Sequence, residues 1–387
     1  MFRRAKARSR LTPAPRVMQI FHLVPNLNFG GLQKVVRLLA LAQRQSGHSV
    51  TIGCWTNASN HPEAECELER EGAHVIHLRR ANDGGMLSGR MPLLRVLKAY
   101  MGAKKADILH VHNPFSYYLY GALAARAAGR TKVVNTVHAT AMFDHPRFGR
   151  RGRTLFWTAA TLSHGLVSVC PEVDAFLRRR FHLAGVELFV VNNGIDMASF
   201  LGVPARKARE EVVFGLAGRM ATEKNHRVLI EAFALVRRRH SRVRLRFLGG
   251  GPLEPELKEQ VRALGLSDSV EFCGFSHDVA GFLGELDIFV LPSDFEALPL
   301  SLLEAIASGL PVVATAVDGV PKIVQNTGGG WLCPRGDANG LMTAMEKAIT
   351  SPDRLERAEK ARGVVAELYS AERMAKDYER VYRQVVH

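Results

Sequence analysis

Two successive series of short apolar runs, separated by longer helical patterns, constrain the fold of this chain most strongly. The first series comprises "VMQIFHLV", "SVTIGCW", "HVIHL", "DILHVH", "KVVNTVH" and "GLVSVC". The second comprises "VVFGLAG", "VRLRFLG", "VEFCG", "DIFVLP", "PVVAT" and "GWLC". Continuous apolar strands that alternate with helices are typical of parallel sheets covered on both faces. At 387 residues the chain is long enough for two such domains.

We therefore predict an α/β protein with two Rossmann-like domains that face each other across a cleft. Residues 17–198 form the first domain and residues 199–370 the second, with the seam near "VNNGIDMASFLGVPARKAREE". Residues 1–16 are expected to form a basic disordered tail, with a transit peptide as the alternative. The amphipathic pattern of residues 371–387 predicts a C-terminal helix that packs back toward the N-terminal domain.

The charge of the chain is divided unequally between its halves. Residues 1–199 carry 27 Lys+Arg against 12 Asp+Glu, whereas residues 200–387 carry 25 of each. The entire excess of +15 therefore lies in the first half. Such a surface favours an anionic partner, and we favour an anionic membrane surface over nucleic acid because no nucleic-acid recognition motif is present. The segments "RMPLLRVLKAYMGAKK", "FGRRGRTLFW" and "FLRRRFHL" mix cations with apolar residues, although each also suits a solvated helix face.

Cysteine usage and apolar length bear on the compartment. The five cysteines show neither a CxxC motif nor a His-Cys metal spacing, which indicates a reducing compartment and no structural zinc. The longest apolar stretch, "TLFWTAATLSHGLVSVC", is too short for a membrane span and is interpreted as a buried helix followed by a buried strand. We expect a cytoplasmic protein that associates peripherally with the inner face of the membrane.

Ligands of open parallel sheets bind at the carboxyl ends of the strands, so the segments that follow strands are the candidate site. Gly30 and Gly31 open a helix after the first strand, where backbone N–H groups can approach an anion. Arg219 and Lys224 follow "VVFGLAG", and a bidentate guanidinium with a point charge suits a diphosphate. An ordinary turn and solvent-exposed charges are the alternative interpretations of these segments.

The segment "SDFEALPLSLLEA", residues 293–305, carries two glutamates eight positions apart at the start of a helix. Glu296 lies in the loop before this helix and Glu304 about one turn into it. The free N–H groups of a helix N-terminus favour a phosphate, and ionised carboxylates accept hydrogen bonds from hydroxyls. We therefore predict that the two acids hold polyols on either side of a pyrophosphate. A solvated helix start is the alternative.

The order of "NFGGLQ", "GRMATEKN", "GGGP", "FEALPLSLLEA" and "GLPVVAT" resembles that of the retaining GT-B glycosyltransferases of family GT4 from about residue 17 onward. The resemblance implies that Arg219, Lys224 and Gly31 bind the diphosphate of a nucleotide-sugar donor. It also implies that Glu296 bonds to hydroxyls of the donor sugar and Glu304 to the ribose.

The same resemblance assigns backbone groups and a histidine to the site. Three backbone amides would face the sugar and the phosphate: Ala297, Leu298 and Leu300. Gly274 and Phe275 would lie next to the base. His138, at the end of "KVVNTVH", would lie near the reacting sugar and is, with Glu296, a candidate catalytic residue. A satisfied core histidine is its alternative interpretation.

Some positions depart from the family pattern. Lys322 and Asn326 stand where relatives commonly carry an acid and Asp-Gly, and Cys170 stands where a serine is usual. These departures affect the expected loop details and not the expected reaction. His110 and His112 in "HVHNP" are given no role.

The resemblance implies the transfer of a sugar, with retention, from a UDP, GDP or other nucleotide donor. The expected acceptor is a glycan or lipid-linked molecule of cell-surface polysaccharide or glycolipid biosynthesis. No Asp-x-Asp occurs in the chain, so neither a metal nor another cofactor is expected. A GT-B nucleotide-sugar epimerase and a non-catalytic nucleotide-sugar-binding module remain alternatives. A nicotinamide dehydrogenase is disfavoured because Glu254 occupies the place of the third glycine in "GGGPLE".

Overall fold

The computed structural model describes residues 16–55, 61–78, 106–112, 115–140, 143, 148–202 and 211–386. Residues 1–15 of the expected basic tail and the whole of "RMPLLRVLKAYMGAKK" lie outside the described residues. Two parallel sheets with interleaved helices make up the described chain, which confirms the predicted α/β class.

The N-terminal sheet has seven parallel strands. They are β1 (Gln19–Val24), β2 (Ser49–Cys54), β3 (His74–His77), β4 (Ile108–His112), β5 (Lys132–Val137), β6 (Gly165–Ser168) and β7 (Leu188–Val190). Their order in the sheet is β3-β2-β1-β4-β5-β6-β7. The described helices of this half are α1 (Gly31–Gln45), α2 (Pro62–Arg70), α3 (Phe115–Ala128), α4 (Gly149–Leu162), α5 (Pro171–Arg180) and α6 (Ala198–Leu201).

The second sheet has six parallel strands. They are β8 (Val212–Ala217), β9 (Val243–Leu248), β10 (Val270–Phe272), β11 (Ile288–Leu291), β12 (Val312–Thr315) and β13 (Gly330–Cys333), in the order β10-β9-β8-β11-β12-β13. The accompanying helices are α7 (His226–Arg239), α8 (Glu254–Ala263), α9 (Val279–Gly284), α10 (Leu300–Ala307), α11 (Val320–Thr327), α12 (Ala338–Thr350) and α13 (Arg354–Leu368).

Both sheets reverse their winding direction between the first and the fourth strand of the series. The reversal lies between β1 and β4 in the first sheet and between β8 and β11 in the second. Loops that leave the two strands at such a point diverge and leave a crevice for a ligand. The loops after these strands carry the motifs that the sequence singled out.

The chain crosses between the domains twice, and the two crossing segments are hydrogen-bonded to each other. Ile195 N donates to Tyr369 O at 2.8 Å, and Ala371 N donates to Ile195 O at 2.9 Å. A Cβ on Gly194 would lie 2.5 Å from Ser370 O, so this close approach requires glycine. After the second crossing, helix α14 (Ala371–Val386) packs against α1 and β5 of the N-terminal domain.

The apolar segment "TLFWTAATLSHGLVSVC" shows where the sequence interpretation was wrong. Strand β6 is buried as predicted, but α4 is amphipathic because only one face of a helix with 3.6 residues per turn meets the sheet. Phe156 and Ala160 are buried, whereas Trp157 is 46% exposed. None of the helices in the described residues is long and apolar enough to cross a membrane.

Candidate active site

Lys224 and Glu296 meet at the carboxyl ends of β8 and β11. Lys224 Nζ contacts Glu296 Oε1, and Ser293 Oγ donates to the same carboxylate oxygen at 2.8 Å. Glu296 N donates in turn to Asp318 Oδ2 at 2.8 Å. The side chains of Lys224 and Glu296 are only 21% and 11% exposed. A cation and a carboxylate, taken from two neighbouring loops, are therefore held together at the crevice.

The two loops that carry this pair are joined by further hydrogen bonds. Asp294 N donates to Glu223 O at 2.8 Å, and Asn225 Nδ2 donates to Asp294 Oδ1 at 3.0 Å. Asn225 adopts a left-handed conformation, with φ of 46°, immediately before α7. Asparagine tolerates this region better than most residues. These contacts fix the position of Lys224 relative to Glu296.

Arg219 has a different environment from Lys224. Its side chain is 70% exposed, and its Nη2 lies 2.6 Å from Glu223 Oε1 in an ion pair four residues apart. An exposed ion pair of this kind contributes little stability. An anionic ligand can therefore replace Glu223 as the partner of the Arg219 guanidinium with little loss of free energy. The two cations predicted to bind a diphosphate thus each contact a carboxylate in this structure.

In the segment before α10, side chains of the N-terminal domain bind two backbone carbonyls, whereas several backbone N–H groups have no backbone acceptor among the described residues. Ala297 O accepts from Cys170 Sγ at 3.2 Å, and Leu298 O accepts from Asn193 Nδ2 at 3.4 Å. Burial raises the pKa of Cys170 to about 12, so it acts as a neutral thiol donor. Within the described chain, no backbone acceptor pairs with three amides of this segment: Ala297, Leu298 and Leu300. Unpaired N–H groups at a helix start are suited to an anion.

Glu304 lies one turn into α10, and its side chain is 6% exposed. Lys34 Nζ, from α1 of the other domain, lies 2.6 Å from Glu304 Oε1. That oxygen is buried and makes no hydrogen bond of good geometry with the described residues, so the contact is an ion pair without a well-aligned hydrogen bond. The cleft is therefore bridged at the carboxylate predicted to hold a ribose.

Gly31 begins α1 one turn before Lys34. A Cβ added to Gly31 would meet no atom within 4 Å, so the packing of the protein does not require a glycine there. The space beside the start of α1 is open, which suits the predicted approach of a phosphate to this backbone.

Aromatic rings from both domains meet beside the predicted base site. Phe275 is 60% exposed, and its ring centroid lies 4.8 Å from that of Phe29. Phe29 also stacks on His61 at 4.2 Å and lies 4.8 Å from His277. Gly274 adopts φ of 69°, and its carbonyl accepts from Gly249 N at 2.7 Å.

His138 follows β5 on the N-terminal sheet. Burial lowers its pKa to about 3, so the ring is neutral at pH 7. Its Nε2 lies 3.1 Å from His112 Nδ1. His138 thus belongs to a hydrogen-bonded group of histidines, and its predicted place near the reacting sugar stays a prediction.

A small cavity lies between the two domains beside the second crossing segment. A cavity of about 70 Å³ is lined by residues of both domains, including Cys170, Leu298, Lys322, Asn326 and Tyr369. Asn326 Nδ2 donates to Tyr369 OH at 3.4 Å, so this departure from the family pattern contacts the second crossing segment. Ligand pockets usually measure about 300–1,000 Å³, so this cavity alone is too small for a nucleotide sugar.

Comparison with known proteins places the chain in a family. Residues 29–199 match the family model "Glycosyltransferase Family 4", and residues 203–363 match "Glycosyl transferases group 1". The chain belongs to glycosyltransferase family 4. The Anabaena protein HepE, solved in complex with UDP, superimposes with a TM-score of 0.77 at 19% identity, over 95% of this chain and 100% of that one. The predicted GT-B fold is thereby confirmed.

Two relatives indicate how far the sequence similarity of this family member extends. WcaL of Escherichia coli K12, a glycosyltransferase assigned to colanic acid biosynthesis, is 35% identical over 163 residues, which is 40% of each chain. The match thus spans less than half the length of that relative. The Escherichia coli UDP-Gal:alpha-D-GlcNAc-diphosphoundecaprenol alpha-1,3-galactosyltransferase is 28% identical over 259 residues, which is 62% of this chain and 66% of the relative.

Several residues of the site escaped the sequence analysis. Lys34, Ser293 and Asp318 each contact one of the two predicted glutamates or its backbone. Ser293 begins the motif that contains Glu296, so its proximity was available from spacing alone. The proximity of Lys34 to Glu304 could not be predicted in this way, because it depends on how the two domains face each other.

Proposed function

We propose that this protein transfers a sugar, with retention, from a nucleotide-sugar donor to a glycan or lipid-linked acceptor. The observation that carries the proposal is the arrangement around the start of α10. Lys224 and Glu296 lie together before the helix, and Glu304 lies one turn into it. A cation, two carboxylates and free helical N–H groups match the diphosphate, sugar and ribose of such a donor.

Donor binding exchanges the ion pairs of the cleft for contacts with the ligand. Lys224 turns from Glu296 to the diphosphate, and Glu296 then accepts hydrogen bonds from sugar hydroxyls. The ribose hydroxyls replace Lys34 at Glu304, and the base lies beside Gly274 and Phe275. In each exchange the carboxylate receives hydrogen bonds from hydroxyls in place of the contact with a cation, which limits the desolvation cost of binding.

The chain's own cations stabilise the leaving group. Negative charge develops on the diphosphate oxygen as its bond to the anomeric carbon breaks. Arg219, Lys224 and the backbone at Gly31 surround that charge, so we propose that no metal is required. The acceptor hydroxyl bonds to the same face of the anomeric carbon and releases its proton to the leaving diphosphate, which gives retention. His138, neutral at pH 7, contacts the donor sugar.

Two comparisons support UDP as the first nucleotide and a lipid-linked acceptor as the first acceptor to test. HepE shares the fold and was solved with UDP. The Escherichia coli galactosyltransferase relative uses UDP-Gal and a diphosphoundecaprenol-linked sugar, according to its name. Cell-surface polysaccharide or glycolipid biosynthesis is the corresponding biological setting.

Calorimetry with UDP, GDP and ADP, followed by a turnover assay with the matching nucleotide sugars, tests the proposal. We expect one nucleoside diphosphate to bind, and its sugar conjugate to release that diphosphate faster when a diphosphoundecaprenol-linked sugar is added. The proposal is wrong if no nucleoside diphosphate binds. It is also wrong if the nucleotide sugar is isomerised without an acceptor, because that result identifies an epimerase.

We also propose that the N-terminal domain docks peripherally on an anionic membrane. A basic patch is formed by Trp157 and six exposed arginines: Arg150, Arg151, Arg153, Arg178, Arg179 and Arg180. Trp157 Nε1 donates to His182 O at 2.8 Å, which links α4 to the segment just after α5. Arg153 lies one turn before Trp157 on the same face of α4. Exposed arginines around a tryptophan suit the interface between anionic headgroups and acyl chains.

A further inference from the structure

Three histidines form a continuous hydrogen-bonded chain beneath the cleft, and a fourth, His110, is connected to it through Tyr382 and Gln43. They lie at or near the carboxyl ends of β1, β4 and β5, which are adjacent in the sheet: His22, His110, His112 and His138. His138 Nε2 lies 3.1 Å from His112 Nδ1, and His112 Nε2 lies 3.0 Å from His22 Nδ1. His22 Nε2 lies 2.8 Å from Gln43 Oε1, which ends the chain on α1.

The amide of Gln43 sets the direction of every hydrogen bond in this chain. Its Oε1 only accepts, so His22 carries its proton on Nε2 and offers Nδ1 as an acceptor. His112 must then donate from Nε2 to His22 and accept at Nδ1. His138 consequently donates from Nε2, and in the neutral ring its Nδ1 is left as an acceptor.

A second branch of hydrogen bonds contacts the other end of the Gln43 amide. Gln43 Nε2 donates to Tyr382 OH at 3.2 Å, and Tyr382 OH lies 2.7 Å from His110 Nδ1. His110 Nε2 lies 2.7 Å from Thr136 Oγ1, which lies 3.1 Å from Tyr378 OH. Both tyrosines are on α14, so the C-terminal helix that returns from the second domain anchors the network.

The environment keeps the rings of the chain neutral, as this polarity requires. Burial lowers the pKa of His22 to about 4, against the opposing effect of its hydrogen bond with Gln43. Burial, reinforced by the neighbouring histidines, also holds the pKa values of His110 and His112 well below 6.5. Within the described residues, the ionisable groups that contact these rings are the other histidines, Tyr378 and Tyr382.

We propose that Gln43, acting through His22 and His112, fixes His138 as the Nε2–H tautomer and so presents its Nδ1 to the donor sugar as a hydrogen-bond acceptor. The tautomer follows from the orientation of the Gln43 amide in the structure, whereas the contact with a sugar hydroxyl rests on the proposed function. Gln43, His22, His112 and Tyr382 are therefore positioning residues. They select sugars that carry a hydroxyl at the point that Nδ1 of His138 faces.

A metal centre is the competing interpretation of the same cluster. Ligand atoms of His22, His110 and His112 lie within 4.8 Å of one another. Both ring nitrogens of each of these three histidines already lie within hydrogen-bond distance of a protein partner. A bound cation would have to break several of these contacts, so the geometry favours the hydrogen-bonded chain.

Nitrogen NMR of the full chain labelled with 15N-histidine tests the tautomer without any substrate. The His138 resonances are assigned with His138→Gln, and His164→Gln serves as a control outside the chain. We expect His138 to be neutral and protonated on Nε2 from pH 5.5 to 8. Protonation on Nδ1, a charged ring at pH 7, or Zn²⁺ binding that shifts the His22, His110 and His112 resonances together would overturn the proposal.

Gln43→Leu tests the positioning role, and Tyr382→Phe provides a milder change if the first variant fails to fold. Both should mix the two tautomers of His138. Gln43→Leu should leave UDP affinity within about twofold but weaken the sugar conjugate by about tenfold, as expected for the loss of one buried hydrogen bond. Unchanged discrimination between UDP and its sugar conjugate overturns the role. If wild-type protein binds no nucleotide at all, the proposed function fails while the tautomer measurement still decides this inference.

Discussion

Lys34 Nζ and Glu304 Oε1 lie 2.6 Å apart across the cleft, so the carboxylate predicted to hold a ribose is paired with a cation from the other domain. The Glu304 side chain is 6% exposed, and that of Lys34 is 30% exposed. A buried carboxylate that loses its partner is left uncompensated, which is strongly destabilising. This ion pair therefore links the two domains at a carboxylate that the proposed nucleotide would have to share or take over.

Replacing Lys34 by methionine tests both the contribution of this ion pair to stability and its competition with the nucleotide. Lys34→Met should lower the stability of the ligand-free protein by about 1–2 kcal/mol, a discounted value because Lys34 is partly exposed. It should also tighten nucleoside diphosphate binding several-fold, because the ribose no longer competes with an ammonium group for Glu304. Thermal melts with and without UDP measure both changes. Lys360→Met is the matched control, since Lys360 Nζ also lies 2.6 Å from a glutamate, Glu356, but both side chains are exposed. Weaker nucleotide binding by Lys34→Met would instead identify Lys34 as a direct ligand of the phosphates.

Lys224 is predicted to carry most of the diphosphate affinity. A hydrogen bond to a charged group contributes about 1.5–3 kcal/mol, so Lys224→Met should weaken binding by roughly 10- to 100-fold in calorimetry. Arg219→Ala should act in the same direction. Lys258→Met is the control, because Lys258 forms an exposed ion pair with Glu254 on α8. Affinity that survives in both cleft variants would contradict the assignment of Lys224 and Arg219 to the diphosphate. Affinity that EDTA abolishes and Mg²⁺ restores would contradict a metal-independent site.

Glu296 and Glu304 are predicted to act on different parts of the donor. Glu296→Gln should reduce the transfer rate by about tenfold or more while leaving the affinity for the free nucleoside diphosphate within about threefold. Glu304→Gln should weaken that nucleotide by about tenfold, because a ribose hydroxyl loses a charged acceptor. Calorimetry with the free nucleotide and a turnover assay separate the two. The reverse pattern would exchange the two assignments.

The pairing of Lys224 with Glu296 illustrates what the sequence predicts well. Each residue follows an apolar strand, and the Rossmann order makes β8 and β11 neighbours, so their loops meet at one edge of the sheet. The contact between Lys34 and Glu304 was not predicted, because the mutual placement of two domains has no local sequence pattern. The burial predicted for Trp157 was wrong for a local reason. The whole apolar run was interpreted as buried, although only one face of the helix meets the sheet.

The histidine chain lies between these two cases. "HLV", "HVH" and "TVH" place histidines near the ends of β1, β4 and β5, and adjacent parallel strands bring such residues together. That clustering was within reach of the sequence. The direction of its hydrogen bonds could not be predicted from the sequence, because it depends on Gln43 and on Tyr382. Tyr382 lies 339 positions after Gln43 in the chain.

Stability should fall in acid because these histidines are buried and neutral. The pKa of His22 is about 4 in the folded protein and that of His138 about 3, against 6.5 for an ordinary histidine. The unfolded chain binds more protons below pH 6.5, so the stabilisation is complete above 6.5 and is lost as the pH falls toward 4 and 3. Between its folded and unfolded pKa values, each histidine changes the free energy of unfolding by about 1.4 kcal/mol per pH unit.

Urea unfolding between pH 4.5 and 7 measures this dependence. His22→Gln removes one titrating group and should make the slope shallower by about 1.4 kcal/mol per pH unit. Carboxylates contribute to the slope of every variant, so the comparison uses the difference from wild type. An equal slope for His22→Gln and wild type would mean that His22 does not stay neutral through this range.

Membrane docking is predicted to depend on the three arginines that end α5 in the basic patch: Arg178, Arg179 and Arg180. Basic residues near an anionic surface contribute about 1 kcal/mol each, so changing all three to glutamine should weaken vesicle binding by roughly 100-fold. Binding should also fall with salt, because the Debye length shrinks from about 10 Å at 0.1 M to about 3 Å at 1 M. Sedimentation with phosphatidylglycerol vesicles measures both effects.

A second run of three arginines provides the matched control, because Arg237, Arg238 and Arg239 end α7 in the other domain. The same change to glutamine removes the same charge there, so general electrostatic attraction predicts equal losses from both triple variants. A docking surface on the N-terminal domain predicts a loss from the α5 variant alone. Equal binding of wild-type protein to phosphatidylcholine and phosphatidylglycerol vesicles, or binding to neither, would rule out this surface. In that case the charge of the first half would have to serve an anionic soluble acceptor.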